Sequence, residues 1–180
     1  MSTPPAGTYR IDPVHTFAGF STKHLLVGRV DGRFNSIEGT FNVTDDVERL
    51  FARIDVKIEA ATIDTNVEAR DDDLRGPRFF DAQNFPAVRY HGSATERTSA
   101  GRWAVEGELT IRELSRPVGF EIELRGTTED PKGNTRLGAT ARAALSRQDF
   151  DLTAEIRQET GNEPGPDVWV RLDIEAALQG

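Results

Sequence analysis

The sequence predicts an all-β protein in which eight antiparallel strands close into a barrel, with one short helix in a connection at about residues 66–75. Three observations support this. Apolar and polar residues alternate along most of the chain, turn sequences separate the alternating runs, and one run carries small side chains on its apolar face. A period of two is typical of strands that bury one face. Short links between consecutive runs favour antiparallel neighbours.

The alternation is clearest at residues 52–60 and 168–176, where apolar residues take turns with charged or bulky ones. Further runs occupy residues 103–111, 118–124 and 137–145, and less regular ones occupy about 8–26, 33–43 and 87–97. The turn sequences RTSAGR, LSRP, EDPKGN and ETGNEPGPD lie between runs. Together these runs predict eight strands.

The choice between a barrel and a sandwich depends on the size of the inward side chains. A sandwich needs bulky residues on both inner faces to fill its core. Several positions on the apolar faces are small instead, namely Gly92, Gly107, Ala139, Ala141 and Ala143. Small inward residues leave volume unfilled, and an eight-stranded barrel is just wide enough to hold one small ligand. The pattern favours a barrel with an apolar lumen, although small residues also suit close strand crossings.

Strand phase predicts which side chains face the interior, because alternate residues of a strand share a face. The predicted inward residues are Phe20, Ile54, Val56, Ile58, Tyr90, Trp103, Val105, Leu109, Val118, Phe120, Ile122, Leu137, Ala139, Ala141, Val170 and Leu172.

The stretch RDDDLRGPRFFDAQNFP, at residues 70–86, interrupts the alternation. Acidic residues come early in it and Arg75 comes late, an order that suits a short helix and its dipole. Phe79 and Phe80 are adjacent and too apolar for a free loop. We therefore expect residues 66–85, the lid segment, to fold over one barrel end. Leu74 and both phenylalanines should face the lumen, and Asp71–Asp73 should point largely outward.

Composition limits the classes of function. A chain of 180 residues suits one domain, here a flexible tail at residues 1–7 and a single barrel domain at residues 8–180. With 22 basic and 30 acidic residues the net charge is −8, which argues against a nucleic-acid partner. There is no cysteine, so disulfides and thiolate chemistry are excluded.

The sequence also bears on location. No stretch approaches the roughly 20 apolar residues that span a bilayer. The N-terminus, MSTPPAGTYR, lacks the basic start and apolar run of a secretory signal. We therefore expect a soluble, cytoplasmic protein that is not an integral membrane protein.

The candidates for metal binding or catalysis are few. His15, His24 and His91 are metal ligands by type, but strand phase places His24 on the inward face and His91 on the outward one. The acids of RDDD are interpreted as a solvated helix turn. The sequence contains no nucleophile elbow, zinc-protease motif or phosphate loop. We expect no metal site, no cofactor, no catalytic residues and therefore no enzyme.

Several segments in order resemble those of a known family. YRIDPVHTFAGFSTKHL at residues 9–25 is similar to an Asp-x-x-His-Ser-x-x-x-Phe-x-x-x-His-Leu run, and GRVDGRF follows it. RDDDLRGPRFFD at residues 70–81 is similar to an Arg-Asp-x-His-Leu-(Arg/Lys)-Ser-x-x-Phe-Phe-Asp pattern. VEGELTIRELSRPVGFE at residues 105–121 matches a Gly-x-Leu-Thr-Ile segment, and SRQDFDL and DVWVRLDIEA fit the last two strands. The chain departs from these patterns at Thr16, Asp73 and Gly76.

These residues resemble the YceI-like proteins, which are lipocalin-like barrels associated with binding polyisoprenoid lipids. The resemblance implies that a long-chain apolar lipid, of the polyisoprenoid or isoprenoid quinone type, is held in the lumen for carriage, storage or sensing. The ligand-binding set is then the inward residues other than Val118 and Leu137, together with His24, Leu74, Phe79 and Phe80.

The resemblance also suggests a homodimer, and Trp169, on the otherwise polar face of the last strand, is a candidate interface residue. Two other functions stay open from the sequence. One is a structural or protein-interaction barrel without a lipid ligand. The other is an enzyme that uses His15 with Asp12.

Overall fold

The structure is a computed structural model that describes residues 3–24, 28–152 and 168–180, apart from the side chain of His24. The strands in this part of the chain are β1 (Gly7–Ile11), β2 (Phe17–His24), β3 (Gly28–Phe34), β4 (Ile37–Val43), β5 (Phe51–Glu59), β6 (Ile63–Asp64), β7 (Ala87–Ser99), β8 (Arg102–Ile111), β9 (Leu114–Glu129), β10 (Thr135–Leu145) and β11 (Val168–Leu178). The helix α1 is Glu68–Arg75, and 3₁₀ turns occupy Ala60–Thr62 and Arg147–Phe150.

The sheet closes on itself. Antiparallel pairings run through β1, β4, β5, β7, β8, β9, β10 and β11, and β11 returns to β1. Eight strands thus form a closed antiparallel barrel, and a short helix lies in one connection, as the sequence predicts. Strands β2, β3 and β6 extend the sheet beyond β11. Among the described residues, no helix has the length and apolar character needed to cross a membrane.

The first two predicted strands are each divided in the structure. Residues 8–26 were expected as one strand, but the chain turns at Asp12, whose carboxylate accepts a hydrogen bond from the backbone of Val14 at 3.0 Å. Pro13 has no N–H to give to a ladder. As a result β11 pairs with β2 through its first half and with β1 through its last residues. The second predicted strand starts earlier, at Gly28, and divides into β3 and β4.

The predicted phase of the strands is confirmed. Every residue expected to face inward is buried or half-buried. Val56 lines the interior, while the side chain of Asp55 is 56% exposed. The sequence pattern does not predict one change of phase, which occurs in β5. Arg53 adopts a positive φ of 47°, and as a result both Phe51 and Ile54 lie in the core.

Aromatic rings fill one end of the barrel. Tyr9 stacks on Phe41 at 5.6 Å between ring centroids, Phe41 meets Phe51 at 5.8 Å, and Phe51 meets Trp103 at 5.4 Å. All four are buried, and we call them the aromatic plug. The indole N–H of Trp103 donates to the carbonyl of Val47 at 2.8 Å, so the polar atom of this buried ring is satisfied. Helix α1 lies towards the opposite end.

Candidate functional site

A cavity of about 380 Å³ occupies the barrel between the aromatic plug and α1. Side chains from the barrel strands, from β2 and β3 and from the lid segment form its wall. The wall is mostly aliphatic and aromatic, and its charged members, such as Arg70 and Asp73, lie near the end that carries α1. This volume is within the range of small-molecule sites, which are concave and largely apolar.

Most of the predicted ligand-binding residues line this cavity. Among those whose side chains the structure describes, all do so except Trp103 and Ala139. Trp103 belongs to the aromatic plug, and Ala139 is buried beside a second pocket described below. The side chain of His24 lies outside the described residues. The role of this set in binding a ligand stays a prediction.

The cavity wall also contains residues that the sequence reasoning did not select. Five of these residues are in phase with selected neighbours on the same strands, so the same alternation predicts them when it is continued along each strand. They are Val88, Ile111, Leu145, Val168 and Ile174. Other members are Val30, Phe34, Ile63 and Leu152. They lie where the alternation is weak, in β3, the short β6 and the turn after β10, so phase gives no signal for them.

Helix α1 is tied to the barrel by arginines. Arg75 donates from Nε to the carbonyl of Ala61 at 2.9 Å and from Nη2 to that of Ile63 at 2.9 Å. Arg112, in the turn between β8 and β9, donates to the carbonyl of Phe79 at 3.2 Å. These bonds fix the end of α1 and the residues that follow it against the strand ends.

The lid segment presents its apolar residues to the cavity as expected. Leu74, Phe79 and Phe80 line it. The ring of Phe80 meets Phe34 edge-on at 5.6 Å, and Phe34 lies 5.8 Å from Phe20. These three rings, which we call the mouth cluster (Phe20, Phe34 and Phe80), are all half-buried, in contrast to the aromatic plug.

The prediction for Asp71 was wrong. Asp72 and Asp73 are exposed, but Asp71 is only 5% exposed. Its carboxylate accepts hydrogen bonds from the backbone N–H of Thr65, at 2.8 Å, and from the Thr65 hydroxyl. A buried carboxylate is tolerated when such donors satisfy it. Asp71 therefore fastens the start of α1 to the end of β6.

Thr65 and Arg70 belong to the polar part of the cavity wall. The guanidinium of Arg70 donates from Nε to the Thr65 hydroxyl at 2.7 Å and from Nη2 to the Thr65 carbonyl at 2.9 Å. Asp73, which stands where the family pattern has His, also borders the cavity and pairs with Arg78 at 3.1 Å. The mouth therefore carries hydrogen-bonding groups beside a cavity whose deeper wall is largely apolar.

Tyr90 explains two glycines that were expected to leave space in the lumen. Gly92 and Gly107 are opposite each other on β7 and β8. A side chain on either glycine would collide with the Tyr90 ring and with backbone carbonyls. The Tyr90 hydroxyl donates to the carbonyl of Val118 at 3.1 Å, and burial raises the pKa of this phenol. The missing side chains thus accommodate a tyrosine, whereas Ala141 does border the cavity.

A second pocket, to which polar and charged residues contribute, lies outside the lumen, beside β10 and β11. Here His15, 60% exposed, lies 3.1 Å from Asp12, and Glu175 is close to both. The hydrogen bond from His15, helped by the Val14 N–H and by Arg136, lowers the pKa of Asp12 to about 2. Arg136 bonds Asp12 at 2.8 Å and Asp130 at 3.2 Å.

The same cluster is the one group of possible metal ligands among the described residues. Arg136 also lies 3.6 Å from Glu175, so its positive charge stands where a cation would have to bind. His91 is distant from this cluster and pairs with Asp55 on the outside of the barrel. The arrangement is that of a surface ion-pair network.

Comparisons with known proteins agree with this architecture. The model of the YceI-like domain family matches residues 9–176. A UPF0312 protein of Yersinia pestis is 32% identical over 153 residues, which cover 84% of this chain and 79% of that protein.

Solved structures show the same fold. The Campylobacter jejuni YCEI protein superposes with a TM-score of 0.74 at 23% identity, covering 88% of this chain and 90% of that chain. A polyisoprenoid binding domain from Saccharophagus degradans, implicated in plant cell wall breakdown, superposes with a TM-score of 0.70 at 13% identity, covering 95% and 98%. With the family match spanning nearly the whole barrel, the chain belongs to the family of YceI-like domains.

Proposed function

We propose that this protein binds one long-chain apolar lipid, of the polyisoprenoid or isoprenoid quinone type, inside the barrel for carriage, storage or sensing. The single observation that carries the proposal is the cavity of about 380 Å³ with its largely apolar wall. An eight-stranded barrel that served only as a scaffold would be expected to fill its interior with side chains. The polyisoprenoid binding domain with the same fold supports this choice of ligand.

The geometry favours a ligand that enters with its apolar end first. Burying each CH₂ group contributes about 0.8 kcal/mol, so a chain of several isoprene units needs few polar contacts to be held. A polar end would then lie at the mouth beside Thr65 and Arg70, whose hydrogen-bonding groups are held in place by each other and by Asp71. In this arrangement the protein acts by binding, without chemistry on the ligand.

The test is to identify what the purified protein carries. We expect organic-solvent extraction and mass spectrometry to release an isoprenoid lipid, and native mass spectrometry to show one lipid per barrel. Protein stripped of lipid should take up a fluorescent isoprenoid analogue. A stripped protein that takes up neither isoprenoid nor any other long apolar chain would contradict the proposal and favour a protein-interaction barrel.

A matched pair of variants excludes nonspecific adsorption. Ala141→Phe places a ring in the cavity, whereas Ala144→Phe, on the same strand, places one at an exposed outer position. Only the first is expected to reduce lipid uptake.

A further inference from the structure

Beside the mouth, the outer face of the barrel carries one aromatic ring between two cations. Trp169 lies on β11, Lys23 on β2 and Arg29 on β3. The guanidinium carbon of Arg29 is 4.8 Å from the centroid of the Trp169 ring, and the Lys23 ammonium is 5.9 Å from it. We call these three residues the basic aromatic patch.

The two cations of this patch directly face each other. Lys23 and Arg29 are paired positions on neighbouring antiparallel strands. Like charges in that arrangement destabilise a sheet. The Lys23–Arg29 pair therefore does not stabilise the pairing of these strands. The face of an indole ring attracts cations, and Trp169 partly offsets the repulsion.

The patch also differs from other basic residues on this side of the barrel. Arg33 pairs with Asp64, Arg142 with Glu123, and Arg171 with Asp173. Within the described residues, neither Lys23 nor Arg29 has a carboxylate at ion-pair distance. Asp31, the next outward residue on β3, lies opposite Ser21 instead. In a chain of net charge −8, two cations that have no carboxylate partner in the described part of the structure form a local binding surface for anions.

The position of the patch connects it to the cavity. Trp169 points outward, while its neighbours Val168 and Val170 line the cavity from the same strand. Lys23, near the end of β2, also borders the cavity at the mouth. Any surface that the patch touches therefore lies next to the opening through which a lipid enters or leaves.

We propose that the basic aromatic patch docks the barrel, mouth first, on a bilayer surface that contains anionic lipids. Tryptophan is enriched at the level of the lipid headgroups, and lysine and arginine bind anionic headgroups there. The rest of the acidic chain is repelled by such a surface, so the patch also sets the orientation. This inference rests on the proposed function, because docking beside the mouth matters for a protein that exchanges a lipid with a membrane.

The experiment is flotation of the full chain with lipid vesicles. Vesicles of phosphatidylcholine alone are compared with vesicles that contain about 30% phosphatidylglycerol, enough to create a negative surface potential. We expect binding only to the second kind, and weaker binding at higher salt. Lys23→Glu with Arg29→Glu should weaken binding at least about tenfold, since each basic residue near an anionic surface contributes roughly fivefold.

The matched control keeps the net charge of that variant. Arg49→Glu with Lys132→Glu reverses two exposed cations in the turns at the opposite end of the barrel. We expect this control to lose much less binding than the patch variant. Equal losses in the two variants, or equal binding of the wild type to neutral vesicles, would overturn the proposal.

A second readout reports on Trp169 itself. Phosphatidylglycerol with brominated chains should quench tryptophan emission of the wild type but not of Trp169→Phe, because Trp103 is buried in the aromatic plug. Analytical ultracentrifugation tests the competing occupant, a second copy of the chain. If patch variants dissociate a dimer and the quenching is absent, the patch is a dimer interface and the membrane proposal is wrong.

The test of membrane docking can fail independently of the test of lipid binding. Lipid uptake in solution is measured for Arg29→Glu, whose side chain is not part of the cavity wall, against Lys132→Glu. If both variants take up lipid but flotation fails, the docking proposal is rejected and the proposed function is not. Failed uptake by the wild type rejects the proposed function, while flotation still reports on the patch.

Discussion

The two ends of this barrel are built from the same alternating strands but are filled in different ways. At one end the aromatic plug places four rings in contact, and each ring is at most 6% exposed. At the other end the mouth cluster brings Phe20, Phe34 and Phe80 to similar ring distances, but all three stay half-buried. Aromatic contact alone therefore does not close an end. Closure requires that the rings also fill the volume behind them.

Because of this difference, one end of the barrel contributes mainly to stability and the other end provides surface for binding. In the plug, ring surface is buried against other side chains, which stabilises the folded state. At the mouth, much of the corresponding surface faces a cavity, where it is available to a ligand. Substitutions at the plug are therefore expected to change unfolding, and substitutions at the mouth to change ligand exchange.

The largest effect is expected at the plug. Phe51→Ala removes a 2% exposed ring that contacts Phe41 and Trp103, and should reduce the free energy of unfolding by about 3–5 kcal/mol. Phe80→Ala removes a half-buried ring from the mouth cluster and should cost only about 1–2 kcal/mol. Urea denaturation of the ligand-free proteins measures both values. Similar losses in the two variants would contradict the division between the ends.

The next effect contrasts two alanines on the same strand and the same face. Ala141 and Ala139 are both 3% exposed, but only Ala141 lines the cavity. Ala141→Phe should reduce lipid affinity at least about tenfold while changing the free energy of unfolding by less than about 1 kcal/mol, because it enters empty volume. Ala139→Phe lies outside the lumen cavity, where a buried ring overpacks its neighbours, and should cost about 1–3 kcal/mol.

Lipid titration and thermal unfolding of both variants, starting from stripped protein, make this comparison. A large fall in the melting temperature of Ala141→Phe would show that the volume beside it is already occupied by protein.

A smaller effect is expected from the lid segment. Phe79→Ala together with Phe80→Ala removes two rings from the cavity wall and should increase the rate of lipid release by about fivefold to tenfold. Val67→Ala is the control, since Val67 belongs to the same segment but is 47% exposed and outside the cavity wall. Stopped-flow transfer of a fluorescent lipid to acceptor vesicles gives the rates. If the double variant unfolds before it leaks, these rings are ordinary core.

Much of this division follows from the sequence because strand phase is a local property. Val56, Leu109 and Leu172 face inward simply because they alternate with charged or aromatic neighbours on strands whose other face meets solvent. The antiparallel pairing was also predictable from the short links between strands, and the small side chains on the apolar face of β10 favoured a closed barrel over a sandwich.

The remaining features depend on contacts between distant residues. The bulge at Arg53 brings Phe51 inward, and only the partner strand reveals it. Asp71 looks like a solvated acid until Thr65 is placed beside it, six residues earlier in the chain. The sequence pattern suggests empty volume beside Gly92 and Gly107, but the Tyr90 ring lies across them.

The smallest predicted effect concerns neither end but the turn where the first strand divides. Asp12 has a pKa of about 2 in the folded protein, below its ordinary value of 3.8, chiefly because of the hydrogen bond from His15. A group whose pKa is lowered by folding stabilises the protein above its unfolded pKa and loses this contribution as the pH falls through the folded pKa. The contribution of Asp12 is therefore complete above about pH 4 and lost by about pH 2.

Solvent screening at this surface turn limits the contribution to about 1 kcal/mol or less. Asp130 has a lowered pKa for similar reasons, so the wild type alone does not isolate Asp12. Asp12→Asn keeps an oxygen that accepts from Val14 but has no charge for Arg136. We expect urea denaturation to show that the wild type loses more stability than Asp12→Asn between pH 5 and pH 2.5. Parallel curves for the two proteins would mean that the Asp12 network does not stabilise the fold, and that its bend is held by the strands alone.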